Sequence, residues 1–136
     1  MPGVYTITYV SEPNKDGFTS EIYRYVGVIA PAVAGTAFDL TGNYQRTAGD
    51  KGISVVTKIA NNLYFADNVG GVKTTNPSLG VYFYHYDVGK IGAPYQLTPG
   101  NAFETTNGSV VVGVSYSWVV MNPGYGTALR TFIKQP

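Results

Sequence analysis

The chain has 136 residues and a formal net charge of +1; 12% of residues are charged, 44% are hydrophobic, and cysteine is missing. The length suits one ordinary domain or two small units, with enough apolar residues for a real core. Without cysteine there is no disulfide framework, thiol nucleophile or cysteine-rich zinc site, and nine Lys and Arg spread along the chain form no basic patch for nucleic acid.

In chain order, the first β-branched and aromatic run is GVYTITYV, residues 3–10. It is followed by SEPNKDG, which ends in an Asp16-Gly17 turn pair, and by FTSEIYRYVGVIA, residues 18–30. The two runs read as a hairpin. PAVAGTAF, residues 31–38, is small, uncharged and opened by Pro31, and reads as a linker. The expected organisation is therefore a hairpin over 1–30, a linker over 31–38 and an all-β domain over 39–136.

Beyond the linker, DLTGNYQRT is a predicted strand with AGDKG as its turn, followed by ISVVTKIA. Asn61-Asn62 suits a two-residue type I′ turn, which needs positive φ at both positions, and LYFAD completes that hairpin. NVGGVKTTNPS is a predicted loop with a short extended piece near 71–74, and LGVYFYHYD, residues 79–87, is the aromatic strand. VGKIGAP is read as a turn, PYQLT as a short strand and AFETT as another. Asn107-Gly108 is the strongest hairpin signal in the chain. SVVVGVSYSWVVM, residues 109–121, is then the longest strand, and TALRTFIK the last. No window shows a helical apolar period, and none approaches the ~20 apolar residues of a membrane helix. The fold class is all-β: a hairpin followed by an antiparallel barrel, meander or sandwich.

Alternation along 81–87 places Val81, Phe83 and His85 on the core face and Tyr82, Tyr84 and Tyr86 on the other. Along 110–120, Val110, Val112, Val114, Tyr116, Trp118 and Val120 share the apolar face. Three tyrosines at i, i+2, i+4 form a ridge suited to stacking a sugar or peptide, or to covering a small core. The candidate ligand-binding residues are Tyr82, Tyr84 and Tyr86, with Trp118 and Tyr95. His85 is the only histidine. Catalysis at His85 would need Asp87 to orient it and Ser115 or Ser117 to be brought beside it; a glycosidase pair would have to come from Asp67, Asp87 and Glu104. No spacing argues for either, so the chain reads as a non-enzyme with no cofactor and no metal.

Residues 2–30 resemble the last two strands of bacterial Ig-like or PKD-like modules, on Pro2-Gly3-Val4-Tyr5-Thr6-Ile7-Thr8-Tyr9, Asp16-Gly17 and Arg24-Tyr25-Val26. Residues 39–48, DLTGNYQRTA, resemble the opening strand of lipocalin-like domains, with Leu40, Gly42 and Tyr44 in the motif positions. That resemblance implies Arg130, on the last strand, packed across the Tyr44 ring. Together the two resemble small exported lipoproteins of Gram-negative bacteria, many of them beside glycan-uptake systems. The resemblance implies a periplasmic or outer-membrane-anchored accessory protein, with its signal and the earlier Ig-like strands outside these residues. The expected function is non-catalytic binding of carbohydrate or another cell-surface ligand through the tyrosine face. The alternatives are a lipocalin-like carrier of a small apolar ligand, and an assembly module that recruits a protein partner, or a second copy, through exposed strand edges.

Overall fold

Short alternating runs closed by Gly and Asn turns build strands throughout the computed structural model, which describes residues 1–71, 73, 80–93, 104–122 and 126–136. Among them there is no helix. Strands β1 (Gly3–Val10) and β2 (Glu21–Val28) pair antiparallel as a separate two-stranded sheet. Their loop is longer than the sequence predicts. The Asn14 side chain accepts hydrogen bonds from the amides of Asp16 and Phe18, and Ser11 and Ser20 close the neck, so β2 begins only at Glu21.

The remaining eight strands are β3 (Gly42–Arg46), β4 (Ile53–Ala60), β5 (Leu63–Ala66), β6 (Val81–Asp87), β7 (Lys90–Gly92), β8 (Glu104–Val111), β9 (Ser115–Asn122) and β10 (Gly126–Lys134). Each pairs antiparallel with the next, and β10 returns to β3, so the sheet is a closed up-and-down barrel. Closure leaves the barrel no free edge. This is the architecture that the lipocalin-like pattern implies.

The interior is filled by side chains. Tyr44, Tyr64, Phe83, Tyr116, Trp118 and Phe132 are each at most 2% exposed. Tyr116 stacks on Phe132 at 4.8 Å between ring centres, and Phe83 meets Trp118 edge-on at 5.4 Å. Such aromatic contacts add to the gain from burial. Eight strands leave room for about this much side chain and little more.

Three sequence expectations are corrected. Asn107-Gly108 is not a turn; it lies inside β8, where the pairing with β9 shifts register between Thr105 and Gly108. A Cβ on Gly108 would lie 2.3 Å from the Ser117 carbonyl oxygen and 2.8 Å from the Trp118 ring, so this glycine serves close approach. The turn falls later, at Val112-Gly113-Val114, and splits the expected strand 109–121 in two. Gly113 takes φ +77°, and Val114 donates to the Val111 carbonyl at 2.9 Å. Finally, the predicted turn VGKIGAP contains the short strand β7, because Gly89 at φ +71° completes the reversal within two residues. PYQLT, including Tyr95, lies outside the described residues, as does most of the loop before β6.

Residues 30–40 run across the barrel end that carries the β4–β5 turn. Ala30 donates to the Tyr86 carbonyl at 2.7 Å, Tyr64 donates to the Phe38 carbonyl at 3.1 Å, and Tyr44 donates to the Leu40 carbonyl at 2.6 Å. Val33 and Leu40 are fully buried. Ala30, Val33 and Leu40 thus anchor the strap to the barrel end, while most of its other residues stay exposed.

Candidate ligand-binding site

β6 alternates as its sequence predicts. Val81, Phe83 and His85 point inward and are at most 1% exposed, while the three tyrosines point outward. The tyrosines do not form one open ridge. Tyr82 is 47% exposed and lies against Phe65, its cross-strand neighbour, at 4.8 Å between ring centres. Tyr84 is half-buried under the hairpin: a Cβ on Gly27 of β2 would lie only 2.4 Å from its ring. Tyr86 is half-buried beside the base of the hairpin. Trp118 points into the barrel, on the opposite side of the sheet from all three, and is wholly buried.

The docked hairpin creates a cleft of about 380 Å³ between β1 and the barrel wall. Gly3, Val4 and Tyr5 line it from β1, and Tyr86, Gly92 and Asn107 line it from the barrel. None of these residues is charged. Burial raises the Tyr86 pKa, with Asp87 and then Tyr5 adding to the effect, so its hydroxyl keeps its proton and can donate. The Tyr5 hydroxyl donates to the Met1 carbonyl at 2.8 Å, which folds its ring over Gly3. The site thus offers two rings, a carboxamide and backbone polar groups.

Tyr86 is the one cleft residue that the sequence offered as a candidate; Tyr5 and Asn107 were not, because β1 lies far upstream of β6 and β8. One local signal was present. Gly27 interrupts the run Tyr25-Val26-Gly27-Val28, and glycine inside a strand marks a place where something approaches closely.

His85 and Asp87 form no catalytic constellation with Ser115 or Ser117. His85 faces the strap, with its ring edge-on to Phe38 at 5.6 Å, and neither ring nitrogen has a hydrogen-bond partner of good geometry. Burial lowers its pKa, against a smaller opposing pull from the backbone and carboxylate of Asp87. Among the described residues, no group of three or more His, Cys, Asp or Glu is placed to hold a metal ion. At the other end of the barrel, Arg46 and Arg130 both donate to the Gly70 carbonyl. Lys134, not Arg130, is the cross-strand partner of Tyr44, whose ring meets Tyr116 edge-on at 4.9 Å.

Fold and cleft together define a small closed up-and-down β-barrel carrying a docked hairpin. No protein-family model matches the chain, and no curated protein or solved structure matches it.

Proposed function

We propose that this protein is a non-catalytic accessory module that binds a neutral carbohydrate in the cleft between hairpin and barrel. The observation that carries this reading is the lining: two tyrosines, one asparagine and exposed backbone, with no charged group among the described lining residues, around about 380 Å³. That volume falls in the ~300–1,000 Å³ range of small-ligand sites. An anionic ligand would find no cation among the described lining residues. A sugar ring offers apolar faces to the phenol rings and hydroxyls to Asn107 and the backbone. An exported, lipoprotein-type setting is part of the proposal. It is supported by the resemblance of residues 2–30 and 39–48 to such proteins and by a weakly charged composition rich in tyrosine and asparagine. The alternative of an apolar carrier has the aromatic filling of the barrel against it.

The test is calorimetric titration with panels of neutral and acidic glycans. The expected result is binding to a neutral glycan, weakened about tenfold or more by Tyr86→Ala, as loss of ~1.4 kcal/mol of ring contact requires. Tyr82→Ala, outside the cleft, is expected to leave binding unchanged. Absence of binding to every glycan, or binding indifferent to both Tyr86→Ala and Tyr5→Ala, refutes the proposal.

A further inference from the structure

The chain's only histidine is sealed into the strap end of the barrel. His85 is 1% exposed, and neither ring nitrogen has a hydrogen-bond partner of good geometry. The strap covers it: Phe38 meets the imidazole edge-on at 5.6 Å. The strap itself is held at few points. Ala30 donates to the Tyr86 carbonyl, and the Phe38 carbonyl accepts from Tyr64. The Asn62 side chain joins Val33 and Gly35 of the strap to the His85 carbonyl. Ala30, Val33 and Leu40 are buried, while most other strap residues face solvent. A segment with so little buried surface opens more readily than the strands beneath it.

We propose that the strap is an acid-sensitive latch: proton uptake by His85 releases residues 30–40 from the barrel end, and with them the hairpin's tether at Ala30. A neutral imidazole tolerates an apolar enclosure at the cost of unmade hydrogen bonds. An imidazolium does not, because it adds a full charge and a second N–H donor. The described charged and titratable groups on the surrounding elements do not offset that charge. Asp87, two residues along β6, is the carboxylate that acts on the ring, and its Oδ1 already accepts from the Val88 amide at 2.8 Å. On β7, Ile91 is opposite His85 and Lys90 is opposite Asp87. β5 supplies Tyr64, and the β4–β5 turn supplies the neutral Asn62. The strap supplies Phe38 and then Asp39, which is exposed and accepts from the Thr41 amide. Burial outweighs the pull of Asp87, so the closed strap holds the histidine below its ordinary value of 6.5 and the open strap restores it. The open form therefore takes up the proton first. Each pH unit below about 6.5 favours opening by up to tenfold, until the closed-state value is reached. The latch does not depend on what the cleft binds.

Hydrogen exchange of the full chain from about pH 7.5 to about pH 4.5, corrected for intrinsic rates, tests it. Protection at the Ala30, Val33 and Gly35 amides should fall by close to tenfold per pH unit below about 6.5, while amides of β4 and β9 keep theirs. His85→Phe, which keeps a ring in the enclosure, should make strap protection independent of pH. Because Phe at this position could itself unseat the strap, proton NMR of the lone histidine provides a second measurement. Its C2 proton should titrate with a midpoint below 6.5, and Phe38→Ala, which uncovers the ring, should raise that midpoint. Strap protection indifferent to pH overturns the proposal. So does parallel loss in β4 and β9, an unchanged slope in His85→Phe, or a histidine midpoint that Phe38→Ala leaves in place.

Discussion

Asn62 occupies the second position of the β4–β5 turn at φ +64° and, against the type I′ expectation, it alone of the pair takes a positive φ; its side chain is almost wholly buried. Its amide donates to the carbonyls of Val33 and His85 at 2.8 and 3.0 Å, and its oxygen accepts from the Gly35 amide at 3.0 Å. One residue thus makes the turn and ties the strap to the barrel end. Replacing it separates the two roles. Asn62→Gly keeps the positive φ and loses the three bonds, and should cost about 2–3 kcal/mol. Asn62→Ala adds backbone strain of about 1 kcal/mol. Urea melts of the two variants measure the difference; equal costs would show that turn strain is unimportant.

Beside it, His85 links stability to pH. Its folded-state pKa lies below its ordinary value of 6.5 because burial disfavours the imidazolium. The unfolded chain therefore takes up the proton first. The contribution is complete above about 6.5 and declines as pH falls toward the folded-state value. Melting temperatures should drop through this window in the wild type, and His85→Phe should flatten that drop. An unchanged slope in the variant would assign the effect to other groups. The turn role of Asn62 is legible in the sequence, since Asn-Asn between two β runs needs nothing beyond local geometry. Its role in the strap is not legible, because its partners lie 27 and 29 residues upstream.

At the scale of elements, the hairpin and the strap decide what the barrel wall presents. Tyr84 is a surface residue by alternation, and the hairpin covers it. The seat is Gly27, where any side chain would collide with the Tyr84 ring. Gly27→Val should displace β2 from β6, at about 1–3 kcal/mol of strain if the contact is kept. The measurement is hydrogen exchange. Amides of β1 and β2 are expected to lose protection while those of β4 and β9 keep it, and the double change Gly27→Val with Tyr84→Ala should restore part of it. Unaltered exchange in the single variant would mean that the hairpin does not depend on this contact. The errors in strand boundaries come from the same source. Asn107-Gly108 satisfies every local rule for a turn, yet Trp118 needs the space above Gly108, and the reversal moves to Gly113 among valines that favour strands.

For the whole molecule, the closing strand pair β10–β3 turns an open meander into a barrel whose centre is aromatic. The single tryptophan reports on this. Trp118 is 0% exposed, so its fluorescence should be blue-shifted and little quenched by acrylamide in the native state, and readily quenched in urea. Efficient native quenching would contradict a filled interior, and Trp118→Ala should cost about 3–5 kcal/mol by leaving a cavity.

Strand alternation, turn composition and the lack of helical stripes come from the sequence alone, since they reflect local periodicity and backbone preference. They suffice for the all-β class, the inward face of β6 and the turn at Asn61-Asn62. Closure of the sheet, the covering of Tyr84, the pairing of Tyr5 with Tyr86 across a cleft and the capping by residues 30–40 depend on contacts between distant segments. Periodicity tells a side chain which way to point; only the packed chain determines what it meets there.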